Sequence, residues 1–223
     1  MWSNIFSKYK KTDFSGGGLL QDYEPLTADK KLMTSSRFVA PRKIDNRDMC
    51  LRTDNQGNTP QCAAYSTAGF VEFQNWKINH YPEQIDPDPI YKEAKRIDGN
   101  NEPGTYLQSA AQAVLNLGLM KGALKRIGKE EIDIQFAIHQ FGVCVGGFMI
   151  TDEWNTVEKN TGRIPILGNA RERGGHAVLL PGYDNDGVYI QNSWSQDWGI
   201  YGFAILPWEL FNKQVMDACV IVQ

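Results

Sequence analysis

The sequence contains few histidines, no closely paired cysteines and no long apolar run. Among its 223 residues are 3 histidines and 4 cysteines. None of the cysteines, at positions 50, 62, 144 and 219, forms a CxxC pair of the kind that binds zinc, so we expect no metal site and no cofactor. A membrane-spanning helix needs about 18 consecutive apolar residues, and no such run is present. We therefore expect no membrane span.

The charge of the chain is also unremarkable. The net charge is −3 and no sustained basic stretch is present, which argues against nucleic acid as a main partner. Charged residues make up 22% and hydrophobic residues 42%, as in ordinary globular proteins. Residues 1–11 lack the features of a secretory signal. We expect a monomer that is either cytoplasmic or exported without a classical signal peptide, and at most one disulfide among Cys50, Cys144 and Cys219.

Cys62 has the setting of a reactive cysteine. Thr59 and Pro60 resemble a helix start, with Thr59 as the cap and Pro60 at the first helical position. The apolar residues that follow predict a helix to about Ile78. Cys62 would then lie in the first turn, where unpaired N–H groups and the helix dipole favour a thiolate.

His176 is the histidine that best fits the role of a base for this thiol. His80 lies 18 residues along the same helix, roughly 27 Å away at the rise of an α-helix. His139 shares a helical face with Ile132 and Phe136, so we expect it to be packed in the core or at its boundary. His176 instead follows two glycines and precedes an apolar strand.

A predicted hairpin brings a third group to His176. Residues 177–183 and 187–193 have strand character, and residues 184–187 form a strong turn signal. A turn there places His176 opposite a position between 192 and 196, and Asn192 lies at the near edge of this window. Its amide could accept from one imidazole nitrogen and orient the other towards the thiol. Trp194 would shield that hydrogen bond from water.

Several segments resemble the papain family of cysteine peptidases. Residues 54–66 are similar to the nucleophile region of that family, and residues 175–183, 192–194 and 198–203 resemble its histidine and asparagine region. Residues 89–91 and 104–110 resemble the middle of the helical half, especially in bacterial members. The resemblance extends over roughly residues 40–210, which is most of the chain.

The resemblance implies roles for individual residues. It makes Cys62 the nucleophile, His176 the general base and acid, Asn192 the residue that orients the histidine, and Gln56 the side chain of the oxyanion hole. It also implies an extended polypeptide substrate, with contacts to a second group of residues: Gly104 and Thr105 on one wall of the cleft, Gly174 and Gly175 on the other, and Trp194.

The sequence departs from the family pattern around the nucleophile. Thr59 stands where the family has a disulfide-forming cysteine, Gln61 where serine is common, and Ala63 where an aromatic residue is usual. His176 follows Cys62 by 114 residues, less than the ~130–150 typical of such enzymes. Ser195 replaces a common glycine. These departures leave the catalytic positions intact but make the specificity of the family unsafe to transfer.

The expected fold is α+β, with a papain-like helical lobe and an antiparallel β-sheet or barrel lobe that enclose the active site in a cleft. We assign residues 41–125 to the helical lobe, including a helix over 107–117 ended by Gly118, and 126–223 to the β-rich lobe, with a sheet over about 142–206. Residues 1–40 form an extension. Its first 35 residues are expected to cover the cleft, because five apolar side chains there need a surface: Trp2, Phe6, Phe14, Leu19 and Leu20.

Four functions fit this sequence. The first is a cysteine peptidase that hydrolyses peptide bonds through a thioester. The second is an isopeptidase or effector with one dedicated target, and the third is an acyltransferase in which an amine replaces water. The fourth is a binding module that keeps the fold without catalysis.

Overall fold

The computed structural model describes residues 18–21, 31–51, 53–81 and 83–223. The predicted contacts of Trp2, Phe6 and Phe14 therefore lie outside the described residues. Within these ranges the chain forms five α-helices: α1 Cys62–Asn79, α2 Pro87–Asp98, α3 Leu107–Asn116, α4 Glu131–Phe141 and α5 Trp208–Gln214. Short 3-10 helices span Arg47–Met49 and Asp152–Asn155.

The same ranges contain nine strands. In chain order they are β1 Leu19–Leu20, β2 Ile44–Asp45, β3 Thr105–Tyr106, β4 Ala123–Arg126, β5 Cys144–Thr151, β6 Glu172–Tyr183, β7 Gly187–Gln191, β8 Phe203–Pro207 and β9 Val215–Val222. The expected α+β class is confirmed by this combination of helices with a mainly antiparallel sheet.

Helix α1 is the central helix of the fold. It is apolar on most sides and is buried against both the sheet and the neighbouring helices, as its composition requires. Its predicted start was wrong by two residues: Gln61 is the N-cap, and its carbonyl accepts from the N–H groups of Ala64 and Tyr65. Thr59 and Pro60 precede the helix, and Cys62 is its first residue.

Helices α2 and α3 pack beside α1. The Asp86 carboxylate caps α2 by accepting from the Asp88 N–H, and Pro87 occupies the first helical position. Helix α3 ends at Asn116, one residue before the predicted end. Gly118 follows with a φ of 69°, a left-handed conformation that glycine adopts without strain.

The sheet is more extensive than the sequence indicated. Its order is β4-β9-β5-β6-β7-β8, with β2 added to β6, and all neighbours are antiparallel. The predicted sheet over residues 142–206 omitted β4 and β9. Strand β9 pairs with both β5 and β4, so the C-terminal residues lie inside the sheet. Strand β4 straddles the expected lobe boundary at residues 125 and 126.

The environment of His139 differs from its prediction. Helix α4 buries Ile134, Ala137 and Ile138, so its inner face is rotated away from Ile132 and His139. His139 is exposed and makes an edge contact with the Phe38 ring at 5.3 Å. The core prediction for His139 was therefore wrong.

Two further sequence expectations concern cysteines and membranes. Cys144 is fully buried in β5, and all four cysteines, which lie in described ranges, are free thiols. Among the described helices, none is both long enough and apolar enough to cross a bilayer.

Candidate functional site

The start of α1 and strand β6 bring Cys62 next to His176. His176 lies within β6, paired with Phe148 of β5, whereas the sequence placed it just before the strand. The backbone N–H of Ala177, the next residue, is near enough to the Cys62 sulfur to lower the pKa of the thiol, against the larger effect of burial. Among the described residues, no hydrogen bond joins the Cys62 thiol to the imidazole itself.

Asn192 fixes the orientation of the imidazole. His176 Nε2 lies 2.7 Å from Asn192 Oδ1, and the backbone N–H of Ser193 donates to the same oxygen at 2.8 Å. Because Oδ1 accepts both bonds, Nε2 carries the proton that it donates, and Nδ1 is left with its lone pair. Asn192 Nδ2 is buried and has no hydrogen-bond partner within the described part of the chain.

Two tryptophans surround the imidazole. The Trp194 ring lies 4.6 Å from the His176 ring at an interplanar angle of 30°, and Trp154 meets it edge-on at 6.1 Å. Trp194 is buried and covers the imidazole face, next to the bond with Asn192. The sequence pointed to Trp194 through its position beside Asn192, whereas no local pattern singled out Trp154, which comes from the 3-10 helix after β5.

Burial controls the ionisation of both groups. Desolvation lowers the pKa of His176 to about 4, against the opposing hydrogen bond to Asn192. Burial raises the pKa of the Cys62 thiol, although the backbone N–H groups of Ala177 and Gly18 act in the opposite direction. At neutral pH the described state therefore contains a thiol and a neutral imidazole.

The low pKa of His176 predicts that acid weakens the fold. The unfolded histidine gains its proton near pH 6.5, whereas the folded one does so near pH 4. Between these values the unfolded state binds more protons, so the free energy of unfolding falls as pH falls, by up to about 3 kcal/mol. We expect the free energy of unfolding of His176→Gln, measured with urea at both ends of this pH range, to fall by about 3 kcal/mol less on acidification than that of the wild type. The exposed His139→Gln variant should behave as wild type, and equal losses in all three proteins would contradict the assignment.

Gln56 lies in the loop that precedes α1. Its backbone N–H donates to the Ser193 carbonyl at 2.9 Å, and Asn55 forms a β-bridge with Trp194. These contacts hold the loop before Cys62 against the segment that follows β7. Gln56 is buried, with 7% of its surface exposed. The structure thus brings Gln56, Cys62, His176, Asn192 and Trp194 into one place.

The predicted cleft wall at Gly104 and Thr105 is covered by the N-terminal segment. Strand β1 runs parallel to β3, with Leu19 opposite Thr105, and the Thr105 N–H donates to the Gly18 carbonyl at 2.8 Å. Gly104 has a φ of 95°, and a Cβ there would lie 2.1 Å from the Gly18 oxygen. A side chain at this position would therefore exclude the segment.

The opposite wall contacts the same segment. A Cβ on Gly175 would lie 2.3 Å from the Leu19 carbonyl oxygen, and one on Gly147 would lie 2.5 Å from Leu19 Cδ2. Leu19 is 5% exposed, so its side chain fills the space between these glycines. Gly174 directly precedes Gly175 in β6, where it is half-buried and pairs with Ile150 of β5. Sequence reasoning missed Gly147, whose importance arises from its contact with a residue 128 positions earlier.

The chain is similar in structure to known cysteine proteases. Over 96% of this chain and 99% of the other, it matches xylellain, a cysteine protease from Xylella fastidiosa, with a TM-score of 0.79 and 21% identity. Two digestive enzyme precursors from the larval midgut of Tenebrio molitor also match. Procathepsin L2 gives a TM-score of 0.75 at 17% identity over 99% of this chain and 82% of the other. Procathepsin L 3 gives 0.65 at 15% identity over 88% of this chain and 75% of the other.

These similarities define the fold. The chain has the papain-like α+β fold, and its expected resemblance to papain-like cysteine peptidases is confirmed at that level. No protein-family model matches the sequence. No curated protein matches it either.

Proposed function

We propose that the protein is a cysteine peptidase that hydrolyses peptide bonds through a thioester at Cys62. The observation that carries this proposal is the hydrogen bond from His176 to Asn192 beside the helix that begins at Cys62. A nucleophile, a base and a group that orients the base are the elements of covalent acyl transfer. They occur here on a fold that cysteine proteases use.

In the proposed reaction, His176 Nδ1 takes the proton of the Cys62 thiol and the thiolate attacks the peptide carbonyl. The tetrahedral oxyanion forms near the start of α1, where the Cys62 backbone N–H and the Gln56 amide donate to it. His176 then protonates the leaving amine, which departs as the thioester forms. Water, deprotonated by His176, attacks the thioester and regenerates the thiol.

We also propose that the N-terminal extension inhibits this site. Gly18 and Leu19 occupy the space between the two glycine-rich walls where an extended polypeptide substrate would lie. The chain is tethered again further along, where the Leu32 N–H donates to the Arg126 carbonyl at 2.7 Å. The segment therefore covers Cys62 within the same chain, and substrate binding requires its displacement.

The orientation of this segment explains why it would act as an inhibitor and not as a substrate. Attack on a peptide requires a carbonyl carbon at the sulfur and its oxygen at the oxyanion donors. Here the Gly18 N–H lowers the pKa of the Cys62 thiol, so the segment presents an N–H group near the sulfur, and the Gly18 carbonyl is bound to the Thr105 N–H. The Gly18 carbonyl oxygen is therefore bound to Thr105 and not to the proposed oxyanion donors, which disfavours attack on the bond between Gly18 and Leu19.

Covalent labelling tests the proposed nucleophile. In the full-length chain carrying Leu19→Asp, which places a charge in the apolar space and opens the cleft, a peptidyl epoxysuccinate should alkylate Cys62. Peptide mapping by mass spectrometry should locate the adduct there and not at the half-buried Cys50 or the buried Cys144 and Cys219. A folded variant whose Cys62 remains unlabelled would overturn the assignment.

The remaining functions give different outcomes once Cys62 is labelled. Hydrolysis of many members of a peptide library supports a general peptidase, whereas cleavage of none indicates an isopeptidase or effector with a dedicated target. Products that carry an added amine indicate acyl transfer, in which the amine attacks the thioester instead of water. A reactive Cys62 without turnover of any acyl donor would leave a binding module.

A further inference from the structure

The two ends of the Gln56 amide are held by different groups. Its Oε1 accepts from the Ser193 hydroxyl at 2.6 Å, and its Nε2 donates to the Thr59 carbonyl at 2.8 Å. A primary amide has two N–H bonds, so one remains after the bond to Thr59. The orientation of the side chain is therefore specified by a donor at one end and an acceptor at the other.

Thr59 also closes the turn that carries Gln56. Its backbone N–H donates to the Gln56 carbonyl at 3.1 Å, and its hydroxyl donates to the same oxygen at 2.7 Å. Within this turn Gly57 has a φ of 56°, and its N–H donates to Asn55 Oδ1 at 2.9 Å. The Thr59 side chain thus anchors the backbone of the turn, while its carbonyl anchors the amide.

We infer that Thr59 and Ser193 are positioning residues for the oxyanion hole. Their hydroxyl groups act through Gln56. This inference rests on the proposed function. The Ser193 hydroxyl and the Thr59 carbonyl select one orientation of the amide, with its nitrogen towards Thr59 and its oxygen towards Ser193. The Thr59 hydroxyl supports this orientation by holding the turn that carries Gln56. A rotation of 180° about the last side-chain bond would exchange these atoms and present an acceptor to a developing negative charge.

The loop before Cys62 differs at Thr59 from the corresponding loop of the papain family. The papain family, which the sequence resembles, has a disulfide-forming cysteine there that would tie the loop covalently. In this chain the hydroxyl ties the loop locally, to the carbonyl three residues earlier. Thr59 does not cap the helix as its sequence context predicted, because the helix begins two residues later with Gln61 as its N-cap, and Thr59 belongs to the Gln56 turn. The Ser193 bond supplies the long-range connection, across 137 residues.

Three measurements distinguish positioning of the oxyanion donor from general support of the site. Each uses full-length Leu19→Asp protein, with Thr59→Val and Ser193→Ala as the added variants. Peptide hydrolysis passes through an oxyanion, and a peptide aldehyde forms a hemithioacetal that resembles it. Alkylation of Cys62 by iodoacetamide displaces iodide without forming an oxyanion, so it reports only on the thiolate and its accessibility.

We expect each variant to lose about 10- to 100-fold in kcat/KM and in aldehyde affinity, somewhat less than deletion of an oxyanion donor. The rate and pH profile of alkylation should remain those of the parent. Thr59→Ser keeps the hydroxyl and should restore both quantities, while thermal unfolding verifies that each variant is folded.

Two results would overturn the inference. One is unchanged hydrolysis and aldehyde affinity in folded Thr59→Val and Ser193→Ala, which would show that the hydroxyls do not position Gln56. The other is an equal loss in alkylation and in aldehyde affinity, which would indicate a general effect on the site. If the parent alkylates and binds the aldehyde but hydrolyses no peptide, the proposed function fails, and aldehyde affinity still tests the role of Thr59 and Ser193.

Discussion

Replacing Cys62 with alanine should reduce peptide hydrolysis by the opened, full-length Leu19→Asp chain by at least about 10,000-fold, in line with the loss of a nucleophile in other acyl-transfer enzymes. The proposed reaction forms its thioester at the Cys62 sulfur, and no other thiol in the chain lies at the start of a helix beside His176. Alanine removes the sulfur but retains the helical backbone and its N–H groups. The measurement is kcat/KM on a fluorogenic peptide.

A matched cysteine variant controls for nonspecific damage. Cys50 is half-buried and donates weakly to the Asn46 carbonyl, so Cys50→Ala removes a thiol without touching the site. It should retain parent activity. His176→Gln should fall by a factor similar to that of Cys62→Ala, since residues that act as one unit show nearly equal single losses. Peptide hydrolysis that survives in Cys62→Ala would refute thioester catalysis at this residue.

The second large effect is expected from Leu19. Burial of its side chain contributes about 2 kcal/mol to holding the segment in the cleft, so Leu19→Ala should accelerate epoxysuccinate labelling of Cys62 by about 30-fold. Leu19→Asp adds the desolvation of an unpaired carboxylate, and we expect an acceleration of at least about 100-fold. The measurement is the second-order rate constant of inactivation at neutral pH, with the wild-type chain as the reference.

An exposed residue of the same N-terminal region provides the control for this series. Val39 is 85% exposed, so Val39→Asp adds the same charge outside the cleft and should label as slowly as wild type. The order should be wild type and Val39→Asp slowest, Leu19→Ala intermediate and Leu19→Asp fastest. Fast labelling of the wild type, or equally slow labelling of all four proteins, would show that residues 18–20 do not control access.

The pairing of His176 with Asn192 was within reach of sequence reasoning because it is a local property. The turn at residues 184–187 joins β6 to β7, and Leu179 pairs with Gln191. Continuing that register places His176 opposite Trp194, the ring that covers it, and near Asn192. A short hairpin allows such counting to within one residue, because the turn sets the register and the irregularity between Leu179 and Gly182 shifts it by one position.

The start of α1 could not be predicted in the same way. Thr59 and Pro60 form a good local signal for a helix start, yet Thr59 donates its N–H and hydroxyl to Gln56. The tertiary contact between Gln56 and Ser193 stabilises that turn and moves the helix start to Cys62. His139 illustrates the same limit, since a helical face is apolar by sequence but is buried only where another element packs on it.

The sequence by itself determined the residue types and their local arrangement: the thiol at a helix start, the hairpin that joins His176 to Asn192, and the glycines of the cleft walls. The tertiary structure alone decided which groups meet across long separations. It placed β9 between β5 and β4, and it placed Gly18 and Leu19 between Thr105 and Gly175. Local patterns follow from backbone geometry over a few residues. Contacts between residues about 100 positions apart depend on how whole elements pack, which no local pattern encodes.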